Sequence, residues 1–126
     1  ERFVIFEPSL DTGFRAPQRA GLEFEPIQWK YINKEKPNLL LIRKSFQNQP
    51  FPRLEAEIAN QTLDDIKNVF VGALLSEENN NVAGVSMTKI DSIAARQNKT
   101  AIFTWPVPFT SEPPKIDVFI RTNLAD

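Results

Sequence analysis

The chain contains no cysteine and no histidine, only four glycines, and a single methionine and a single tyrosine among 126 residues. Without cysteine there are no disulfide staples, no thiol nucleophile and no thiolate zinc site, and the redox compartment leaves no mark on the sequence. Without histidine, the commonest general base, the commonest transition-metal ligand and the side chain that titrates near neutral pH are all missing. The glycines, Gly13, Gly21, Gly72 and Gly84, are scattered, so no glycine-rich loop is available to cradle a phosphate. Charge of either sign is not in excess. Lys and Arg number 15 against 16 Asp and Glu, a net charge of -1, which offers no electrostatic footprint for nucleic acid or an anionic membrane surface. No apolar run approaches the roughly 20 residues needed to cross a bilayer, and no signal-peptide series opens the chain. It begins at Glu1 rather than Met and reads as a processed product or an excised fragment, with a targeting or anchoring segment expected upstream.

What is present is an ordinary globular mixture, 41% hydrophobic and 25% charged, in a length suited to one domain with one core. Pro8, Pro17 and Pro26, with Gly13 and Gly21, prevent a long helix in the first 26 residues. A short strand is expected over Phe3 to Phe6. A second extended stretch carries Leu22, Phe24, Ile27, Trp29 and Tyr31 at mostly two-residue intervals. Residues 1–26 are read as an extended linker or edge segment packing on the domain, and residues 27–126 as the domain itself.

Strands follow. Asn38 to Phe46 has a central apolar run, Leu39 to Ile42. In Arg53 to Asn60, Leu54, Ala56 and Ile58 share one face while Glu55 and Glu57 share the other, as in a half-buried strand. Val69 to Leu75 is apolar on both faces, which suits a central strand. A polar tip, Glu77 to Asn81, whose asparagines suit left-handed turn positions, joins it to Val82–Lys89 as a hairpin. Thr100 to Trp105 and Ile116 to Thr122 alternate again. Between them Pro106, Pro108, Pro113 and Pro114 forbid regular structure. Ile90, Ile93 and Ala94 have helical spacing, so a short helical crossover is expected over Ile90 to Gln97. The pattern predicts an all-β chain folded as a two-sheet antiparallel sandwich with an extended N-terminal segment.

The succession PRLEAEIANQTLDDIKNVFVGALL, a polar tip, a returning strand, then KTAIFTWPVPF and IDVFIR, resembles the immunoglobulin-like domains of the FxLYD kind. It is most similar to the last domain of single-pass membrane-anchored proteins of small-genome candidate-phylum bacteria. The strand ending in Asn60, the loop Leu63 to Asn68 with its acidic pair and Asn, and the series Phe103 to Phe109 carry the resemblance, and Phe6 to Gly13 resembles that family's interdomain segment. Asn79-Asn80-Asn81 departs from its usual polar-Gly turn. The resemblance implies an immunoglobulin-like sandwich, extracytoplasmic and held at the cell membrane through an upstream anchor, and it points to no substrate; the missing histidine, cysteine and clustered acids are what argue against catalysis.

Chemistry is sparse. Asp64-Asp65 and Glu77-Glu78 are the densest carboxylates, but no Asp-x-Asp-x-Asp-Gly series accompanies them, so they read as turn acids and not as a calcium site, with Asp64 or Asp65 bonding the turn backbone. No histidine stands ready to activate a serine, and no cofactor or metal is expected. Asn60-Gln61-Thr62 and Asn98-Lys99-Thr100 match the glycosylation sequon and read as chance. Trp29 and Trp105 are expected to fill the core. If exposed, with Tyr31, they would suit a carbohydrate-binding module. The favoured function is a structural or protein-binding module at the cell surface. Recognition in such folds sits on loops, and Asp64 and Asp65 in one loop, with Phe109 and Glu112 in another, are the candidate partner-binding residues, expected at the same end of the sandwich.

Overall fold

The computed structural model describes Asp11, Gly13 and residues 15–123. The chain divides into two units, Glu1–Asn33 and Lys34–Asp126, so the division falls seven residues beyond the boundary read from the sequence. The strand expected over Phe3 to Phe6 lies outside the described residues. Residues 16–33 join no β-ladder. Trp29 is 90% exposed and Tyr31 89%, which corrects the expectation that Trp29 fills a core. Leu22, Phe24, Ile27, Trp29 and Tyr31 are all exposed, so their spacing marks extended chain that joins no sheet.

The described residues of the second unit hold six strands: β1 (Leu39–Gln47), β2 (Arg53–Asn60), β3 (Ile66–Ser76), β4 (Val82–Ile93), β5 (Asn98–Thr104) and β6 (Lys115–Thr122). They form two antiparallel sheets, β1-β2-β5 and β4-β3-β6. Alternation decides which side of each strand is buried. In β2 the core side chains are Leu54, Ala56 and Ile58, and in β3 they are Val69, Val71, Ala73 and Leu75. Ala101 and Phe103 of β5 and Ile93 of β4 complete the buried cluster, and Ile116, Val118 and Ile120 of β6 pack at its margin. At the open side of the sandwich the Lys44 ammonium donates to the Ile116 carbonyl, so a polar bond links β1 to β6 across the two sheets.

The helical expectation over Ile90 to Gln97 is not met. β4 runs on to Ile93, where it pairs with Ile66, and a turn at Ala94–Gln97 follows, closed by the Gln97 amide on the Ala94 carbonyl at 3.1 Å with Arg96 at a φ of 58°. Three apolar residues at helical spacing make a weak local preference, and a ladder with β3 outweighs it. The hairpin between β3 and β4 forms as expected, with Asn80 at a φ of 65°. Asn79 Oδ1 accepts from the Asn81 amide at 2.9 Å.

Candidate functional site

Strand direction places the loops. Leu39 pairs with Asn60, and Ala59 with Asn98, so the β2–β3 turn lies at one end of the sandwich beside the Ala94–Gln97 turn. Thr104 pairs with Arg53, and the Trp105 amide donates to the Pro52 carbonyl at 3.1 Å, so the long β5–β6 loop leaves from the other end. The expectation that Asp64 and Asp65 share an end with Phe109 and Glu112 is therefore corrected. A four-residue turn between β4 and β5 leaves no length to recross the sandwich, and three antiparallel strands separate the two loops. Glu77-Glu78 at the β3–β4 tip is likewise at the opposite end from Asp64-Asp65. Among the described residues, no three acidic, histidine or cysteine side chains cluster as metal ligands would.

At the first end one acid of the pair serves the backbone through its carboxylate, and Asp64 takes part through its main-chain carbonyl. Asp65 Oδ1 accepts from the Ala95 amide at 2.9 Å and so ties the two turns together. Asn60, fully buried, does more. Its Nδ2 donates to the carbonyls of Asp64 (2.8 Å), Ile93 (3.0 Å) and Ala94 (3.2 Å), while its Oδ1 accepts from the Thr62 amide and hydroxyl.

At the other end Phe109 is half-buried and fixed. Its ring meets those of Trp105 and Phe46 at centroid distances of 5.7 and 6.1 Å, and Trp105 meets Phe46 edge-on at 6.5 Å. Asn48 holds the Phe109 backbone from both sides, donating to its carbonyl at 2.8 Å and accepting from its amide at 2.9 Å. Trp105 Nε1 donates to the Val85 carbonyl at 3.4 Å. Gly84 makes room for this cluster, because a Cβ there would come within 2.8 Å of the Phe109 ring. Trp105 thus fills the sandwich as expected, and Phe109 closes its end in place of reaching outward. Of the four candidate loop residues, Asp64, Asp65 and Glu112 are exposed, on two different ends.

The two outer sheet faces differ more than the two ends. On the outer face of β1-β2-β5 lie Arg43, Ser45, Glu55, Glu57 and Thr100, with ion pairs Arg43–Glu57 at 3.5 Å and Arg53–Glu55 at 2.8 Å. That is the usual solvated side of a sandwich. The outer face of β4-β3-β6 is apolar in its middle and charged at its rim, where Lys89 pairs with Asp91 at 3.6 Å and Lys115 with Asp117 at 3.7 Å. Across it β3 places Phe70 between Lys89 and Arg121, Gly72 between Met87 and Phe119, and Leu74 between Val85 and Asp117. Phe70 is 37% and Met87 45% exposed. A Cβ on Gly72 would meet nothing nearer than the Phe119 Cβ at 4.0 Å, so Gly72 leaves a shallow dimple among apolar neighbours. At its edge the Lys89 ammonium lies 6.0 Å from the centre of the Phe70 ring. Apolarity on both faces of Val69 to Leu75 suits the central strand that β3 is, but it holds no signal for which face lacks a partner.

No family model and no curated protein matches the chain. Among solved structures, the fold is similar to that of a DUF1425 family member from Shewanella sp. pv-4, with 13% sequence identity, a TM-score of 0.54, and coverage of 72% of this chain and 83% of that one. With its two facing antiparallel sheets, the chain is an all-β, immunoglobulin-like sandwich.

Proposed function

We propose that this domain is a non-catalytic protein-interaction module of a membrane-anchored, extracytoplasmic protein, and that it docks its partner on the outer face of β4-β3-β6. The observation that carries this reading is the contrast between the two outer faces. One carries Arg43, Ser45, Glu55, Glu57 and Thr100 across its middle, while the other keeps its charge to the rim, in the pairs Lys89–Asp91 and Lys115–Asp117, and presents Phe70, Leu74, Val85, Met87 and Phe119 around Gly72. A contiguous apolar patch rimmed by charge is the usual form of a protein-binding surface. The cell-surface location rests on the resemblance to anchored bacterial proteins.

A photo-crosslinking residue at Met87 in the full-length protein on cells tests the docking. A discrete protein adduct is expected, lost on Phe70→Asp and not formed from the same probe at Ser45 on the polar face. Equal adducts from both faces, or none from Met87, would overturn it. For the location, a protease site placed at the Asn79–Asn81 tip is expected to be cut on intact cells stripped of any outer layer. Protection there would remove the extracytoplasmic reading.

Trp29 and Tyr31 favour a second reading. Both are almost fully exposed and lie two residues apart in extended chain, an arrangement that suits stacking on sugar rings. Retardation of the protein in polysaccharide gels, abolished by Trp29→Ala with Tyr31→Ala, would support a carbohydrate-binding module. Unchanged mobility in a panel of glucans, xylans and chitin would dismiss it.

A further inference from the structure

We infer that the partner on the apolar face is a second copy of this chain, bound about a two-fold axis that runs across the strands through Gly72. The inference rests on the interaction reading above and names its partner.

In the aligned class of sheet packing the strands of facing sheets stay within about 30° of each other, and this class offers two ways of setting this face against itself with two-fold symmetry. If the axis ran along the strands, β4 of one copy would cover β6 of the other, and Lys89 would oppose Arg121 in two symmetric like-charge pairs. An axis across the strands keeps each strand over its own counterpart and inverts the rows. Gly72 then faces Gly72, Met87 faces Met87 and Phe119 faces Phe119. Phe70 lies over Leu74, and Arg121 lies over Asp117, twice by symmetry. Charge selects the second arrangement. It brings opposite signs together at the rim on β6, and on β4 it sets Lys89, which lies 3.6 Å from Asp91 of its own chain, over the apolar Val85. Asp117 also lies 3.7 Å from Lys115 of its own chain, so the carboxylate would sit between two cations. The dimple at Gly72 suits this packing, because two backbones meet there without a side chain between them.

The size of the face bounds the strength. β6 flanks β3 only over Val69 to Ser76, so three strands about 14 Å wide and about 26 Å long give a footprint of about 370 Å² per copy, or about 740 Å² for the pair. That is the size of a weak, transient encounter and not of a stable complex, so self-association is expected no tighter than high micromolar concentration.

Sedimentation equilibrium from about 10 µM to 1 mM tests it, with circular dichroism to show that each variant is folded. The unaltered chain is expected to dimerise. Arg121→Asp and Asp117→Arg should each lose at least about tenfold in self-association, since each sets like charges together twice. An equimolar mixture of the two is expected to form a heterodimer, and the double reversal R121D/D117R a homodimer. Simple damage to the fold would restore neither. A chain monomeric at 1 mM, single variants that dimerise like the original, or a mixture that stays monomeric would overturn the inference. A monomer whose Met87 probe still yields an adduct with another protein overturns the choice of partner alone, while a monomer without any adduct takes the interaction reading with it.

Discussion

Asn60 is the residue on which the two sheets depend at one end. It sits at the last position of β2, in one sheet, and its amide reaches the carbonyls of Ile93 and Ala94 at the end of β4, in the other. The same side chain closes the Gln61–Asp65 turn through Asp64 and Thr62. Removing it leaves buried carbonyls and an amide without partners, at about 1–3 kcal/mol for each group that water cannot reach. Asn60→Ala is therefore expected to lower stability by about 3 kcal/mol in urea denaturation, against about 1 kcal/mol for Thr62→Ala, with the denaturant slope unchanged. A loss below about 1 kcal/mol for Asn60→Ala would show that the turns hold without it. The same bonds explain why the Asn60-Gln61-Thr62 sequon is not an accessible acceptor in the folded chain. A strand ending in Asn before a polar loop was legible in sequence, but the role of that Asn was not. Two of its acceptors lie 33 and 34 residues further on, and only the fold brings them close.

Among the elements, β2 and β5 were legible because one side of each is buried and the other wet, so a period of two shows directly. β3 was legible as central but not as half-exposed, since continuous apolarity does not say which side has a partner. β1 combines both situations. It ladders only with β2 among the described residues, yet Leu40, Leu41 and Ile42 stay exposed, so its outer edge offers an apolar row for strand addition. Two features blunt that edge. The register shifts between Leu41 and Arg43, leaving Ile42 as an unpaired bulge, and Arg43 and Lys44 follow at once. Adding charge at the bulge should blunt it further. Ile42→Lys is expected to lengthen the lag of thioflavin-T-positive aggregation on heating several-fold, while changing folding stability by no more than about 0.5 kcal/mol. An unaltered lag would mean that aggregation starts elsewhere, with the outer face of β3 the next place to probe by Phe70→Lys.

The molecule as a whole is a self-contained sandwich and a separate N-terminal unit. Every side chain of the buried cluster, from Leu54 to Phe103, and every residue packed at its margin, from Leu39 to Ile120, belongs to Lys34–Asp126. Composition and length had pointed to one core, and one core is found, because six strands alternating over some 90 residues supply enough apolar faces for one sandwich and no more. The sequence-based boundary after Pro26 rested on proline and on apolar spacing. Spacing cannot tell a strand that has found a sheet from an extended chain that has not, which is why Ile27, Trp29 and Tyr31 were assigned to the domain. The fragment 34–126 is accordingly expected to fold alone, with a single cooperative thermal transition within about 4 °C of that of the whole chain. Restoring residues 27–33 should not raise it. Fluorescence gives an internal control, because Trp105 sits in the aromatic cluster with Phe46 and Phe109 and Trp29 is in water. The emission change on unfolding should survive Trp29→Phe in the whole chain and vanish in Trp105→Phe. A fragment that melts well below the whole chain, or an unfolding signal that follows Trp29, would show that residues 1–33 contribute to the folded core.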